Sequence, residues 1–374
     1  MNKLLSKLFP EGLPFKKEES ESVLGVDIGS SSIKIVQVKK KEGKAILETY
    51  GSLALGPYAK TEIGQVTNLS STELFQALSD IINESNVTTK VSAIAIPSSA
   101  SLVSIISIPS AVDKENLDKI IPIEAKKYIP VPISEVTLDW WVMPERVESF
   151  EENENNENNV TREVKKEVLL VAIHNDILVK YRELLNKTKL DSKFFEIEVF
   201  SSIRSTFSHE LAPVLLVDFG ASKTKLSIAE YGVVKVFHVI SRGSADITKN
   251  ISQSMSVSFE EAEKLKREVG LDREVNKDVA MAVESSFNYI FSEINKIVLN
   301  YEKKYNKSIN KVIFSGGGAL TKGLADRAGK NFKVKVFFGD PFSKTESPAF
   351  LESVLKKSGP EFAVAVGLAF RQLK

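Results

Sequence analysis

The sequence predicts an α/β protein built from two related lobes, and three features of the chain support this prediction. A segment with an Asp-x-Gly turn between two β-rich runs occurs at residues 23–38 and again at 215–228. Elsewhere, β-rich runs alternate with amphipathic helical stretches, which is typical of mixed α/β lobes. Near the C-terminal end, a strand leads into three consecutive glycines and a predicted helix. A repeat this widely spaced indicates two lobes, because a solenoid repeats every roughly 20–50 residues.

The repeated segment has the chemistry of a phosphate-binding turn. Aligning the copies on their aspartates pairs Asp27 with Asp218, Gly29 with Gly220, Ser31 with Ser222 and Lys34 with Lys225. Small residues at a hairpin tip let backbone N–H groups approach an anion. The aspartate before each turn is placed to hold hydrated Mg²⁺, which prefers one or two carboxylates plus waters. One such turn alone is better explained as an ordinary hairpin, whereas two facing copies are what clamping a nucleotide polyphosphate requires.

Composition excludes several classes of function. The net charge of +1 gives no global field toward nucleic acid or an acidic membrane. The absence of cysteine excludes disulfides and thiolate metal sites. The histidines, His174, His209 and His238, lack metal-ligand spacing. No apolar run approaches the ~18 residues of a transmembrane helix.

The domain organisation follows from changes in amino-acid composition and hydrophobic pattern along the chain. Residues 1–22 form an amphipathic segment and linker, whose first 12 residues rest on a membrane surface or a partner, or form a frayed tail. The first lobe covers 23–210 and includes an inserted subdomain of helix plus hairpin at about 104–175. Within it, the acidic, Asn-rich stretch 148–159 is a solvated hairpin loop or disordered insert. The second lobe covers 211–374, with its own subdomain at about 241–305.

Local signals place the elements of the second lobe and one helix of the first. Ser70 with Glu73, and Ser258 with Glu261, form capping boxes that start helices. We expect the second of these helices to end at Gly270 and a long amphipathic helix to cover 278–304. The strand at 311–314 should lead through the glycines into a helix that begins at residue 319. Because the glycines have no side chains, a ligand can lie against their backbone.

The two Asp-x-Gly hairpins followed by a strand and SGGGALTKGL resemble the actin-like ATPase superfamily, which includes actin, the DnaK chaperone, sugar kinases and FtsA. This resemblance covers nearly the whole chain, with the motifs in the right order. It implies an actin-like ATPase fold of two ribonuclease-H-like lobes. Within the superfamily, EAKKYIPVPISEVTLDWW (124–141), VLGVDIGSSSIKIVQV and PEFAVAVGLAFR resemble the PilM family of type IV pilus assembly, which is similar to FtsA in its inserted subdomain.

The resemblance implies ATP and Mg²⁺ as cofactors, with Asp27 and Asp218 orienting Mg²⁺ and water. The implied phosphate-binding positions are Gly29, Ser30, Ser31, Ser32 and Lys34 in the first turn, and Gly220, Ala221, Ser222, Lys223 and Thr224 in the second. The implied adenosine-binding positions are Gly316, Gly317 and Gly318, with Glu263 and Lys266 near ribose and base on the nucleotide-capping subdomain of 241–305. Glu263 and Lys266 are otherwise a solvated helix face, and Lys223 either contacts phosphate or faces solvent.

Whether the protein is an enzyme stays open at the sequence level. Glu198 matches the position where relatives orient the attacking water, and such positioning is a large part of phosphoryl transfer. Val199 and Phe200 replace the small residues or proline usual there. We therefore expect slow ATP turnover, or binding without turnover.

The resemblance also implies a partner and a location. PilM-type proteins bind the N-terminal tail of PilN, an inner-membrane pilus component, so we expect a cytoplasmic scaffold at the inner face of the cytoplasmic membrane. The resemblance also implies the pilus assembly ATPase, and further copies of the chain through self-assembly, as partners. Related type II secretion systems use a similar scaffold. Apolar residues of 105–108 and 128–133 are candidates for the tail site, or else are core.

Two alternatives remain from other classes of function. An FtsA-like filament protein would tether to a membrane, and residues 1–12 are the candidate anchor here. A small-molecule kinase of the sugar-kinase branch would need an aspartate base in a sugar cleft, and no segment of that kind is found in the sequence.

Overall fold

The computed structural model describes residues 22–109, 114–143, 165–208 and 210–373. Ser99–Val179 belongs to one compact unit, and the chain up to Ser98 and from Lys180 onward belongs to the other. The predictions made for the first 21 residues, for 148–159 and for His209 lie outside the described residues. None of the helices in the described ranges is both long and apolar enough to cross a membrane.

The described residues form strands and α-helices that alternate along the chain, as expected for an α/β protein. The strands are β1 (Ser22–Ile28), β2 (Ser32–Lys41), β3 (Lys44–Ala54), β4 (Val91–Ile96), β5 (Ser101–Pro109), β6 (Val136–Val142), β7 (Lys165–His174), β8 (Asp191–Ile197), β9 (Val214–Phe219), β10 (Thr224–Glu230), β11 (Val233–Ile240), β12 (Lys311–Ser315) and β13 (Lys335–Phe338). The α-helices are α1 (Ser71–Glu84), α2 (Lys114–Ala125), α3 (Asn175–Thr188), α4 (Glu198–Thr206), α5 (Ser244–Met255), α6 (Phe259–Val269), α7 (Lys277–Tyr305), α8 (Leu324–Phe332), α9 (Glu352–Ser358) and α10 (Ala363–Gln372).

The sequence repeat is a repeat of sheet topology. The first sheet has the order β3-β2-β1-β4-β8 and the second has the order β11-β10-β9-β12-β13. In each, an antiparallel meander is extended by parallel strands. The turns at Glu42-Gly43 and Tyr231-Gly232 both have positive φ at their two central residues, at 53° and 78° and at 51° and 77°. Paired positive φ is the geometry of a type I′ hairpin, which matches the twist of its strands.

The C-terminal helix packs on the first sheet, although the sequence-based division places it in the second lobe. Ala365, Val366 and Ala369 of α10 share a buried cluster with Val36 and Val38 of β2. A Cβ at Gly25 would lie 2.0 Å from the carbonyl oxygen of Ala365, so β1 requires glycine where the helix crosses it. The last segment of the chain therefore completes the first half of the molecule.

A buried ionic cluster also fixes α10 to the end of β8. Glu196 forms salt bridges of 2.6 Å with Arg204 of α4 and 3.0 Å with Arg371 of α10. The Arg371 guanidinium lies 4.1 Å from the Phe194 ring centroid, a cation–π distance. Because Glu196 is 1% exposed, these contacts supply the compensation that a buried carboxylate needs.

Most, but not all, of the helix predictions agree with the structure. Ser70 with Glu73 forms the predicted capping box, and the side chain of Ser258 accepts a hydrogen bond at the start of α6. The long helix α7 buries the expected face against the second sheet. The prediction of a helix from residue 319 is wrong, because residues 317–320 form a short 3-10 turn. The left-handed Gly323, at φ 75°, precedes α8 and separates the two.

The smaller unit is an antiparallel sheet of order β5-β7-β6 that buries one face of α2. Ile106, Ile108 and Ile129, which were candidates for the partner site, are at most 7% exposed and lie in its core. For these three the core alternative is correct. Tyr128 is 44% exposed and Ile123 is 61% exposed, so these two apolar side chains stay at the surface.

Candidate functional site

The two Asp-x-Gly turns have the same backbone geometry. The N–H of Gly29 donates to the carbonyl oxygen of Ser32 at 3.0 Å, and that of Gly220 donates to Lys223 at 3.0 Å. A Cβ on either glycine would lie 2.9 Å from that carbonyl oxygen. Both turns are therefore tight and closed by the same hydrogen bond, and both lack a side chain at their first position.

Each turn is fixed within its own half of the molecule through carbonyl oxygens. The Ser30 and Ser31 carbonyls of the first turn accept from the N–H groups of Thr67 and Leu55. Gly220 and Ala221 of the second turn accept from the first N–H groups of α5. Of the other predicted positions in the second turn, Ser222 and Lys223 are partly exposed, so this tip is open to solvent. Thr224 is fully buried and its Oγ1 donates to the carbonyl oxygen of Arg242 at 2.9 Å.

Each hairpin carries an aspartate and a lysine directly opposite one another. Asp27 pairs with Lys34 across β1 and β2, and Asp218 pairs with Lys225 across β9 and β10. The lysines then diverge. Lys34 Nζ donates to Ser32 Oγ at 2.6 Å within its own turn. Lys225 Nζ lies 2.8 Å from Asp218 Oδ2 and extends beyond its own hairpin.

The second contact of Lys225 reaches the first sheet. Glu198 is the first residue of α4, directly after β8, and its Oε2 lies 2.6 Å from Lys225 Nζ. Its other carboxylate oxygen accepts from the N–H of Ser98 at 2.7 Å. Lys225 therefore links the hairpin of the second sheet to the water-orienting position predicted on the first.

The surroundings of Asp27 include charged groups from both hairpins. Burial is the largest influence and raises the pKa of Asp27; Lys34 and Lys225 lower it, and Glu198 and Asp218 raise it, so that the pKa lies at about 6. Electrostatic coupling of this kind requires the groups to be near one another. Asp27 therefore lies within electrostatic range of Glu198 and of Asp218, the aspartate of the other hairpin.

Lys225 keeps its partners charged despite burial. Burial alone would raise the pKa of Glu198, but the ammonium of Lys225 and the hydrogen bonds to the carboxylate lower it below its usual value. Burial would lower the pKa of Lys225, and the charges of Asp218 and Glu198 raise it instead. Glu198 and Lys225 consequently form a charged pair at neutral pH.

The glycine-rich turn packs directly behind Asp218. β12 runs parallel to β9 and brings Ser315 opposite Asp218, so that Gly316 follows at the carboxylate. Gly316 has φ 80°, and a Cβ there would lie 2.3 Å from Asp218 Oδ1. A Cβ at Gly318 would meet Phe219 at 2.9 Å, whereas one at the exposed Gly317 would meet nothing within 4 Å. The backbone at Gly317 is therefore accessible to a flat ligand.

Glu263 and Lys266 are not a solvated helix face, and that alternative is wrong. Both are at most 8% exposed. Lys266 Nζ lies 2.6 Å from Glu263 and donates to Thr248 Oγ1 at 2.8 Å, while Arg267 adds a 2.8 Å contact to Glu263. A Cβ at Gly64, on the connection after β3, would lie 3.1 Å from Glu263. This polar pair therefore sits where the first-half connection meets the second-half helices.

Sequence reasoning missed Lys225 and Ser98 as members of the site. The repeat alignment contained the signal for Lys225, because it is the counterpart of Lys34. Ser98 acts through its backbone N–H, which no residue type reveals. Within the residues the structure describes, no group of three or more His, Asp or Glu side chains is arranged to hold a metal ion. Magnesium here would therefore rely on Asp27, Asp218, water and phosphate oxygens.

Two repeated sheets, opposed Asp-Gly hairpins and a glycine-rich turn define a protein with the actin-like ATPase fold. The structure matches a PilM–PilN type IV pilus biogenesis complex with a TM-score of 0.78 at 22% identity, covering 94% of this chain and 98% of that one. It matches the ethanolamine utilization protein EutJ from Carboxydothermus hydrogenoformans with a TM-score of 0.51 at 13% identity, covering 98% and 94%. An MreB protein of Spiroplasma citri bound to AMPPNP gives 0.51 at 11% identity, covering 94% and 95%.

The family itself is narrower than the fold. A family model described as type IV pilus assembly protein PilM matches residues 25–373, and the chain belongs to that family. This membership agrees with the resemblance found in the sequence. It does not favour an FtsA-like filament protein or a sugar kinase.

Proposed function

We propose that this protein is a nucleotide-binding scaffold of type IV pilus assembly that captures the N-terminal tail of a PilN-like inner-membrane protein. The observation that carries the nucleotide half is that Lys225 contacts both Asp218 of the second hairpin and Glu198 at the end of the first sheet, which brings the two sheets together at the Asp-Gly turns. The observation that carries the partner half is membership of the PilM family. A fold neighbour solved with AMPPNP is consistent with the first half, and one solved with PilN with the second.

The residues present fit Mg²⁺ and ATP. Two tight turns that each begin with glycine offer backbone to phosphates, and the open face of Gly317 leaves room for the nucleoside. Asp27 and Asp218 would hold the metal, whose charge neutralises phosphate oxygens. The site needs that charge, because its three carboxylates outnumber the ammonium groups of Lys34 and Lys225. Glu263 and Lys266 would meet the ribose and base from α6.

The arrangement of Glu198 favours holding ATP over hydrolysing it. A residue that orients water must offer a free carboxylate oxygen to it. Here one oxygen accepts from Ser98 and the other from Lys225, so Glu198 must give up the Lys225 contact before it can orient water. We therefore propose slow turnover at most, consistent with a scaffold whose nucleotide is a structural ligand.

The partner would meet the smaller unit at its exposed apolar residues. Ile123 and Tyr128 are 61% and 44% exposed, which is unusual for apolar side chains beside a packed core. A short tail with apolar anchors would bury them. The protein would then be held at the inner face of the membrane by PilN, with no membrane-crossing segment required among the described helices.

Calorimetry tests the nucleotide half. The wild-type protein should bind ATP with Mg²⁺ saturably, and Asp27→Asn and Asp218→Asn should each weaken binding at least about tenfold, or about 1.4 kcal/mol. Asp326→Asn, an exposed carboxylate on α8, is the control and should bind as wild type. ATP binding that survives both hairpin variants unchanged would refute the site.

Capture of the tail peptide tests the partner half. The probe is the N-terminal tail of a PilN-like protein, immobilised as a peptide. Tyr128→Asp should abolish capture while leaving ATP binding intact. Tyr231→Asp is the matched control, since Tyr231 is 65% exposed at the β10–β11 turn and its left-handed backbone tolerates aspartate. Equal capture by both variants would place the tail elsewhere.

A further inference from the structure

The lysines of the two hairpins are equivalent in register but differ in what they contact. Lys34 stays within its own turn, where it donates to Ser32. Lys225 spans from β10 of the second sheet to Glu198 at the end of the first sheet. The side chains of Lys225 and Glu198 are 19% and 10% exposed, so this ion pair is largely shielded from solvent. The structure thus contains a charged contact that joins the two halves of the cleft without nucleotide.

The neighbours of this contact allow it to open without losing Glu198. The carboxylate keeps the hydrogen bond from the Ser98 N–H at 2.7 Å, which comes from the first sheet and does not depend on Lys225. Its position at the start of α4 is also favourable for a negative charge. Lys225 keeps Asp218 at 2.8 Å on its own hairpin. Glu198 and Lys225 therefore each keep a second contact if the ion pair between them breaks.

An arriving polyphosphate would compete for the bridging ammonium. A lysine has three N–H donors, and a phosphate oxygen binds it as strongly as a carboxylate does. The tip of the second turn lies on the same hairpin as Lys225, so phosphates at that turn would approach the ammonium. Glu198 is the contact most readily exchanged, because it belongs to the other half of the cleft.

We propose that Lys225 is a positioning residue that holds Glu198 before nucleotide binds and transfers its contact to the terminal phosphates when ATP enters. This inference rests on the proposed nucleotide site and goes beyond it, because it names Lys225 as the residue that responds when the terminal phosphates of ATP occupy the site. Before binding, the bridge holds the two sheets together and occupies the carboxylate. After binding, Glu198 is held by Ser98 alone and has one oxygen free for water.

The unliganded bridge is tested with a double-mutant cycle. Lys225→Met and Glu198→Gln should each lower the denaturant midpoint of the nucleotide-free protein. The double variant should fall no further than the less stable single variant, because the two residues share one contact. Lys264→Met, an exposed lysine on α6, is the control and should combine additively with Glu198→Gln. Additive effects of Lys225→Met and Glu198→Gln would overturn the bridge.

The exchange is tested by comparing ATP with AMP in calorimetry. Lys225→Met should weaken ATP binding about ten- to a hundredfold, because a hydrogen bond to a charged group is lost. AMP, which lacks the terminal phosphates, should bind the variant as it binds wild type. Lys225→Arg should recover most of the ATP affinity. A lysine with a purely structural role would not make the loss of affinity depend on the number of phosphates in the ligand. Glu198→Gln should raise ATP affinity, because the ammonium of Lys225 no longer has to leave a charged partner, and a loss of affinity would count against the exchange.

The outcomes separate this proposal from the one it rests on. If wild type binds no ATP, the proposed function fails and the exchange fails with it. If wild type binds ATP and Lys225→Met binds it equally well, the nucleotide site stands and the role of Lys225 is overturned. Equal losses for ATP and AMP would also overturn it, since the lysine would then support the fold of the site rather than sense phosphate.

Discussion

Replacing Gly316 with alanine should displace the carboxylate of Asp218, and the neighbouring glycine provides the control. Gly316 has φ 80° and ψ 163°, a region of backbone space that only glycine adopts without strain. Its missing Cβ would lie 2.3 Å from Asp218 Oδ1 and 2.6 Å from the Phe219 carbonyl oxygen. Both neighbours belong to β9, so relief requires movement of the hairpin strand or of the Asp218 side chain.

The magnitude follows from two costs. Forcing an alanine into this backbone region costs about 1–3 kcal/mol. Overpacking against a strand costs about 1–3 kcal/mol more. We therefore expect Gly316→Ala to lower the free energy of unfolding by about 2–6 kcal/mol. Gly317→Ala should change it by no more than about 0.5 kcal/mol, because that position is exposed and a Cβ there meets nothing within 4 Å.

Urea denaturation and ATP calorimetry together measure both effects. Gly316→Ala should lose stability and Mg²⁺-dependent ATP affinity, since Asp218 no longer holds its place. Gly317→Ala should keep its stability, and a loss of ATP affinity in that variant would indicate that the nucleoside lies against its backbone. Equal stability and equal ATP affinity for Gly316→Ala and wild type would refute the reasoning.

Further predictions concern the buried charges and the metal. Glu196→Ala should lower the free energy of unfolding by about 3–5 kcal/mol, because it leaves two buried arginines without their carboxylate; Glu346→Ala, whose partner lysine is exposed, should cost less than about 1 kcal/mol by the same urea titration. Tyr301→Phe removes the hydroxyl that donates to buried Glu230 and should cost about 1–3 kcal/mol, and an unchanged urea midpoint would contradict this. Chelating Mg²⁺ with EDTA should weaken ATP binding by about tenfold or more in calorimetry, or about 1.4 kcal/mol, and identical affinities with and without the chelator would argue against a metal-assisted site.

Features set by local chemistry could be predicted from the sequence. The two hairpins, their turns and the helix caps depend on residues a few positions apart, so their patterns are legible without tertiary structure. The start of α5 was missed because its N-cap is Gly243, which has no side chain to signal a cap. The short turn at 317–320 was predicted as the start of a helix because no proline marks its end. The residue that separates it from α8 is Gly323, which is a weaker signal in the sequence.

Features that depend on how distant segments meet could not be predicted. An acid and a base three residues apart on a helix suggest a solvated face, yet Glu263 and Lys266 are buried by α5 and by the connection that carries Gly64. The same limit applies to Lys225. Its equivalence to Lys34 was visible in the repeat, but its contact with Glu198 depends on how the two sheets face each other.

The divergence of the two lysines bears on why a scaffold would bind ATP. A ligand that binds only the folded state stabilises it by about 2.7 kcal/mol at a hundred times its dissociation constant, without any turnover. That is a large share of the roughly 5–15 kcal/mol that keeps a protein folded. A site whose water-orienting carboxylate must first give up its contact with Lys225 would turn ATP over slowly and would therefore retain this stabilisation. Binding alone can then determine whether the two halves are held together.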